Sequence, residues 1–259
     1  MNYETIVVAD HGQVRNITLH RPERRNAMTP EMQTELIASM GDAVASGCRV
    51  LVLAGAGQAF CSGLDLSALK AMHDKTATEQ RVDAERIAKL FRTLYELPIP
   101  TIAAVHGAAI AGGTGLAMIC DFTLATPAAK FGFTEARVGF VPALVSAFLA
   151  LQVGDKRSRD LLLTGRFFDA EEAWRLGLVN EVVPPEELMQ RVQALAGVLI
   201  ANSPKALEAT KRLMVTQNKV WLDAATEAAL EANAQTRGTA EFREGVAAFL
   251  EKRKPNWTK

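Results

Sequence analysis

Two glycine-bearing loops in this chain each follow a buried apolar run and open a helix, and each has the residues to hold a developing negative charge. The first is Gly57-Gln58-Ala59-Phe60-Cys61-Ser62-Gly63-Leu64-Asp65-Leu66. Gly63 lets the backbone turn sharply and expose the next amide, that of Leu64. The second is His106-Gly107-Ala108-Ala109-Ile110-Ala111-Gly112-Gly113-Thr114-Gly115-Leu116-Ala117. Its glycine pair stands at a helix start, where free N–H groups and the helix dipole favour an anion. Each loop also has a purely structural reading. The first would serve as an ordinary strand-to-helix loop with Asp65 as the cap. The second would serve as a close-packing segment of small residues. His106 reads as a satisfied loop histidine, and Asp65 and Asp121 as caps or hydrogen-bond acceptors. His20 and His73 have no supporting context.

Other anion-binding motifs fit poorly. Gly55-Ala56-Gly57 follows an apolar run, but the third glycine of a dinucleotide fingerprint would fall at Phe60. The chain has neither a Gly-Lys-Ser/Thr phosphate loop nor a Gly-x-Ser-x-Gly nucleophile elbow.

The elements that must position these loops alternate between strand and helix. Residues 5–9 and Val14–Leu19 are β-branched, apolar runs separated by His11-Gly12, a turn signal. Thr29-Pro30-Glu31 opens a helix that ends near Gly47. Residues 49–54 form a buried strand. Beyond Asp65 the pattern is helical, with Ile87, Leu90, Phe91 and Leu94 on one face, until Pro98 and Pro100. Thr101–Val105 and residues 121–125 read as further strands, and residues 143–152 and Ala170–Leu176 as helices. After Pro185 only helices are expected, over residues 185–201, 204–217 and 221–253, the last broken near Gly238. Phe242, Val246, Phe249 and Leu250 make an apolar stripe there. Such a tail is either part of the same core or an oligomerisation element, and its distance from the strands favours the second.

A length of 259 residues, about half of them apolar, is enough for one large domain or one domain with an appendage. Lys and Arg balance Asp and Glu at 29 each, which gives no electrostatic case for nucleic acid or an anionic membrane surface. The apolar stretch over residues 102–120 is interrupted by His106, Gly107, Gly112, Gly113 and Gly115 and does not read as a membrane helix. Cys48, Cys61 and Cys120 are sparse and unpaired in spacing, as expected for buried, reduced thiols in the cytoplasm and not for a disulfide frame or a zinc site.

Taken together, the loops and the segments around them resemble the enoyl-CoA hydratase/isomerase (crotonase) superfamily over nearly the whole chain. The resemblance is carried by Ile17-Thr18-Leu19-His20-Arg21-Pro22, Arg25-Asn26-Ala27-Met28 and the Ala59 to Leu66 run. It continues through Pro100 to Gly107, Ala111-Gly112-Gly113, Cys120-Asp121, Phe131-Gly132 and Glu135. Leu163-Thr164-Gly165, Ala173 to Leu178 and Phe249-Leu250-Glu251-Lys252-Arg253 complete it. It implies an α/β spiral of repeated strand–strand–helix units (residues 1–198) followed by a helical region (residues 199–259) that packs homotrimers, often paired into hexamers. It implies an acyl-CoA thioester substrate, coenzyme A being part of the substrate and no further cofactor or metal being required. The thioester oxygen would be held by the amides of Leu64 and Gly112, with Gly113 and Thr114 alongside. The CoA moiety would lie along Arg24 or Arg25, Ala59, Ser62, Asp65 and Leu66. Phe249 and Lys252 of a neighbouring subunit would help to cover it. Residues 69–82 are expected to wall the acyl pocket.

Family hydratases carry two glutamates. One follows the oxyanion glycine by three residues, where this chain has Gly115; the other corresponds to Glu135. Some isomerases use an aspartate after a Gly-x-x-Pro turn, where Gly139-Phe140-Val141-Pro142 is followed here by Ala143. A single acid/base, Glu135, is therefore expected. It resembles the arrangement in 3,2-enoyl-CoA isomerases, in which one base removes a proton from C2 and returns it to C4. The competing readings are a surface Glu135–Arg137 ion pair, a non-catalytic acyl-CoA binder, and another reaction of the superfamily such as decarboxylation.

Overall fold

The computed structural model describes residues 3–72 and 75–257. His73 lies outside the described residues. The chain opens with a hairpin of β1 (Ile6–His11) and β2 (Val14–Leu19). Helix α1 (Pro30–Ala45) follows, with the Thr29 hydroxyl accepting from the Met32 amide and proline at its first turn. Then come β3 (Val50–Gly55), β4 (Ala59–Cys61), α2 (Leu66–Ala71) and α3 (Ala77–Glu96). A second turn of the spiral comprises β5 (Thr101–Val105), β6 (Ala108–Ile110) and α4 (Gly112–Ile119). A third comprises β7 (Phe122–Ala125), β8 (Lys130–Gly132), the 3-10 turn Glu135–Val138 and α5 (Ala143–Thr164). After β9 (Phe167–Asp169), α6 (Ala170–Leu176) and β10 (Glu181–Val182) the chain is helical: α7 (Leu188–Ala201), α8 (Pro204–Arg237) and α9 (Ala240–Leu250).

Each turn gives one strand to each of two sheets. The larger has the order β1-β2-β3-β5-β7-β10, parallel from β2 onward, and the smaller the order β4-β6-β8-β9. This is the expected strand–strand–helix spiral. Strands β3 and β5 read as continuous apolar runs because both faces are covered. Leu51, Leu53, Ala103 and Val105 point into the main core, whereas Val50, Val52, Ile102 and Ala104 meet Leu188, Val192 and Ala196 of α7. The step between sheets needs glycine: a Cβ at Gly107 would overlap the Gln58 carbonyl.

Several expectations change. Strands β4 and β6, three residues each, are too short to show periodicity and read as loop, whereas β8 and β9 fall in a stretch that reads as short strands mixed with helices. The expected helix over residues 143–152 stops at Gly154, whose φ 76° and ψ 167° are non-helical, and a second helical segment beyond the kink completes α5 to Thr164. The expected interruption between residues 217 and 221 is absent. Asn218, Lys219 and Val220 contain no helix breaker, and Asn218 Nδ2 donates to Tyr95 Oη at 3.0 Å. The break at Gly238 is present, with Thr239 capping α9. Leu222, Ala229 and Leu230 of α8 belong to the same hydrophobic cluster as the spiral. A boundary between residues 198 and 199 falls inside α7. Among the described residues no helix is long and apolar enough to cross a membrane.

Candidate active site

The two glycine loops meet. Asn26, fully buried at φ 54°, anchors the first one: its Nδ2 donates to the carbonyls of Ala56 (2.8 Å), Ala59 (2.8 Å) and Phe60 (3.1 Å). Met28 then pairs with the loop, donating to Gly63 O at 2.8 Å and accepting from the Asp65 amide at 3.0 Å. This leaves the Leu64 N–H between them without a hydrogen-bond partner among the described residues. Gly63 has φ 91°, and a Cβ there would lie 2.9 Å from Ile110 O and 3.0 Å from Ala111 Cβ. Close approach as well as positive φ therefore requires glycine. In the second loop Ala111 takes φ 53° and ψ −124°, a positive-φ conformation that a residue with a Cβ adopts only at a cost of roughly 1–3 kcal/mol. It presents Gly112 as the first residue of α4, whose N–H has no acceptor within the helix.

Leu64 and Gly112 both line a cavity of about 490 Å³. Ser62, Arg25 and Leu66 border it, as do Phe249, Arg253 and Pro255 from the C-terminal segment of the same chain. Its walls are apolar, from Leu69, Ile87 and Phe91 on one side and Val141, Leu144 and Val145 on another. Phe249 is 60% exposed, an apolar ring at the cavity rim.

Glu135 also lines this cavity, at the start of its 3-10 turn. The turn is clamped between Phe133, which is fully buried, and α9, where a Cβ at Gly245 would overlap the Val138 carbonyl. Oε2 of Glu135 is buried and has no hydrogen-bond partner among the described residues. Burial pushes its pKa up to about 7, opposed only weakly by its own backbone N–H. The surface ion pair with Arg137 does not form, because Arg137 lies over the Phe167 ring at 4.6 Å. A carboxyl poised near neutrality, unpaired, on an apolar cavity can both take and give a proton.

The remaining expected site residues are placed as follows. Arg24 is exposed and Lys252 stands beyond α9 at φ 56°; neither lines the cavity. Ala59 is buried in β4 with its carbonyl bonded to Asn26. Asp65 caps α2, accepting from the Ser67 and Ala68 amides, and pairs with Arg21 Nη1 at 3.0 Å. Gly113 packs its Cα against the Cys61 carbonyl. Thr114 is buried, its hydroxyl donating to Ala109 O at 2.6 Å and accepting from Gly132 N at 3.2 Å, so it ties β6 to β8 and does not face the cavity. Of residues 69–82, Leu69 lines the cavity, His73 and Asp74 lie outside the described residues, and Val82 is exposed. The wall is completed by Ile87 and Phe91, which the helical stripe marked only as buried. Arg137, Arg253 and Asn233 were also missed as lining residues, since nothing in their local sequence distinguishes them from surface charges and a helix-face amide. His106 Nε2 donates to Gly57 O (2.9 Å), and Asp121 accepts from Thr101 and Lys211, as their structural readings expected. All three cysteines are free and buried; burial pushes Cys61 and Cys120 up to about 12, which leaves them as unreactive thiols.

A sequence model described as enoyl-CoA hydratase/isomerase matches residues 10–259. The chain belongs to this family. A Thermus thermophilus protein provisionally named an enoyl-CoA hydratase is 41% identical over 253 residues, covering 97% of this chain and 100% of the relative. A crotonyl-CoA hydratase of Syntrophomonas wolfei is 33% identical, covering 99% of both. The crystal structure of an enoyl-CoA hydratase/isomerase from Xanthobacter autotrophicus Py2 superposes with a TM-score of 0.89 at 32% identity, over 97% of this chain and 98% of that one. Within the family, the space beside Gly115 is notable. A Cβ there would lie 2.7 Å from Val145 Cγ1 and 3.1 Å from Phe91 Cζ. Val145 and Phe91 thus fill the space that a side chain at position 115 would take. Ala143, the residue after Pro142, also lines the cavity.

Proposed function

We propose that this protein processes an enoyl-CoA thioester through an enolate, with the amides of Leu64 and Gly112 as the oxyanion donors and Glu135 as the single acid/base. The observation that carries the reading is the buried Oε2 of Glu135, without a hydrogen-bond partner among the described residues, on a cavity that Leu64 and Gly112 also line. Two amide donors aimed at a developing oxyanion are each worth roughly 3–4 kcal/mol. The names of the relatives favour hydration of a 2-enoyl-CoA. Glu135 takes a proton from water as its oxygen bonds to C3, the double-bond electrons move onto the thioester oxygen, and the same proton passes to C2. A pKa near 7 suits a group that must act as base and then as acid. The filled space beside Gly115 supports a second reading, migration of a 3-enoyl double bond, since that needs only one base moving a proton from C2 to C4.

In this reading coenzyme A enters as part of the substrate, along Arg25, Ser62 and Leu66, with Phe249 at the rim. The exposed Leu213, Met214, Val220 and Trp221 on α8 support assembly into a trimer or a pair of trimers, which sedimentation of the purified protein would resolve. A paired turnover assay tests the chemistry. One arm follows loss of the conjugated thioester absorbance from a 2-enoyl-CoA; the other follows its appearance from a 3-enoyl-CoA. Loss in the first arm, abolished in Glu135→Gln, is the hydratase result; gain in the second alone is the isomerase result. Silence in both with CoA esters still bound would sink the enoyl-CoA reading in favour of a binder or a decarboxylase.

A further inference from the structure

The apolar wall of the cavity carries one buried amide. Asn233, on α8 and 2% exposed, lines the cavity beside a wall that includes Leu69, Ile87, Phe140 and Phe242. Its Oδ1 accepts from Arg237 Nε at 2.8 Å. A guanidinium can only donate, so this bond fixes which end of the amide faces Arg237. The Nδ2 group, with two N–H donors, is left without a protein acceptor among the described residues.

Behind Asn233 lies an uneven charge cluster. Arg237, also 2% exposed, places Nη2 2.8 Å from Asp83 Oδ2, but neither of its Nη groups makes a well-directed hydrogen bond among the described residues. The other Asp83 oxygen is taken by Arg86, whose Nε donates to the neutral Gln33. Two guanidiniums thus share one carboxylate, and Arg237 is the one shut away from water. A buried cation in excess of its counter-charge is costly, and an arriving anion would offset that cost. The cluster is directly behind the cavity: Asp83 is one helical turn from Ile87 on α3, and Arg237 Cζ lies 6.0 Å from the centre of the Phe140 ring.

We propose that Asn233, held and electrically backed by Arg237, recognises a carboxylate at the distal end of the acyl chain. The inference rests on the acyl-CoA reading of the cavity and adds to it the class of acyl group. Asn233 Nδ2 supplies the hydrogen bond, and Arg237 is a positioning residue that also supplies the unbalanced positive charge. A merely structural knot between α3 and α8 would need the Asn233–Arg237 bond but would be indifferent to what the acyl chain carries.

Calorimetric binding of saturated CoA esters tests this without requiring turnover. Hexanoyl-CoA is compared with adipyl-CoA, and octanoyl-CoA with suberyl-CoA, at equal ionic strength. The wild type should bind the carboxylated member of at least one pair tighter by on the order of tenfold. Asn233→Asp keeps an acceptor for Arg237 and removes the N–H donors while neutralising the excess charge, so it should fold and reverse the preference. Asn233→Leu, if it folds, should bind the methyl-terminated esters at least as well as the wild type. A wild type that binds the methyl-terminated esters equally or better in both pairs overturns the proposal, as does an Asn233→Asp ratio equal to that of the wild type. If no CoA ester binds at all, the acyl-CoA reading fails and takes this inference with it.

Discussion

Asp65 and Glu135 are carboxyls on two turns that border one cavity, and their surroundings drive them in opposite directions. Both lose solvent. At Asp65 burial pushes the pKa up, but the Arg21 guanidinium and the Ala68 and Ser67 amides outweigh it and hold the group below its usual range. At Glu135 burial meets almost no opposition, and the pKa rises to about 7. The contrast shows that exposure alone does not assign a role. Partners decide whether a buried carboxylate is a permanent anion that organises backbone or a proton carrier.

The largest expected effect breaks this comparison at Glu135. Glu135→Gln should lower turnover by roughly 10²–10⁴-fold while CoA ester binding stays within a few-fold of wild type. Full turnover in the variant would remove Glu135 from the mechanism. Next comes the loop that Asp65 stabilises. Gly63→Ala forces a Cβ against Ile110 and Ala111 and shifts the Leu64 amide, so kcat should fall by about 10²-fold or more. An unchanged kcat in a folded Gly63→Ala protein would show that the Leu64 amide is not a donor in the reaction.

A stability measurement sharpens the contrast without any substrate. Because the folded pKa of Glu135 is raised, the native state holds a proton that the unfolded chain has released between the ordinary carboxylate range and about pH 7. Stability therefore falls as pH rises through that window, and the cost is complete above it. Glu135→Gln should be indistinguishable from wild type near about pH 4 and more stable by up to about 3 kcal/mol near about pH 8 in urea denaturation. A pH-independent difference would mean that the carboxyl is not held protonated by burial. The smallest effect is expected at Asp65. Asp65→Asn keeps an N-cap but loses the Arg21 ion pair, and should cost about 1 kcal/mol with kcat changed less than a few-fold. A kcat loss as large as that of Glu135→Gln would overturn the structural assignment of Asp65.

Much of the fold was legible before any coordinates. Thr29-Pro30 marked a helix start that the structure places at Pro30, and residues 49–54 and Thr101–Val105 marked buried strands, which the structure covers on both faces. The smaller sheet was not legible, because strands as short as Ala59–Cys61 and Ala108–Ile110 are specified by their partners and not by a period of their own. At the site, the resemblance pointed to Glu135, Leu64 and Gly112, which line one cavity. It also pointed to Thr114, whose hydroxyl is instead taken up by Ala109 and Gly132. Local sequence carries residue type and approximate direction, but a hydroxyl goes wherever its nearest acceptor lies.

The sequence by itself determined the family, the order of the longer strands and of most helices, and the presence of Glu135 without an acid at positions 115 or 143, because these depend on residue type, periodicity and spacing along the chain. Tertiary structure alone decided that Glu135 would be unpaired and Asp65 paired, that Val145 and Phe91 would close the space beside Gly115, and that Asn233 would face the cavity with Arg237 behind it. Those outcomes depend on which groups from distant segments share a few ångströms of desolvated space, and the free energy of a charge or a hydrogen bond there is set by those neighbours.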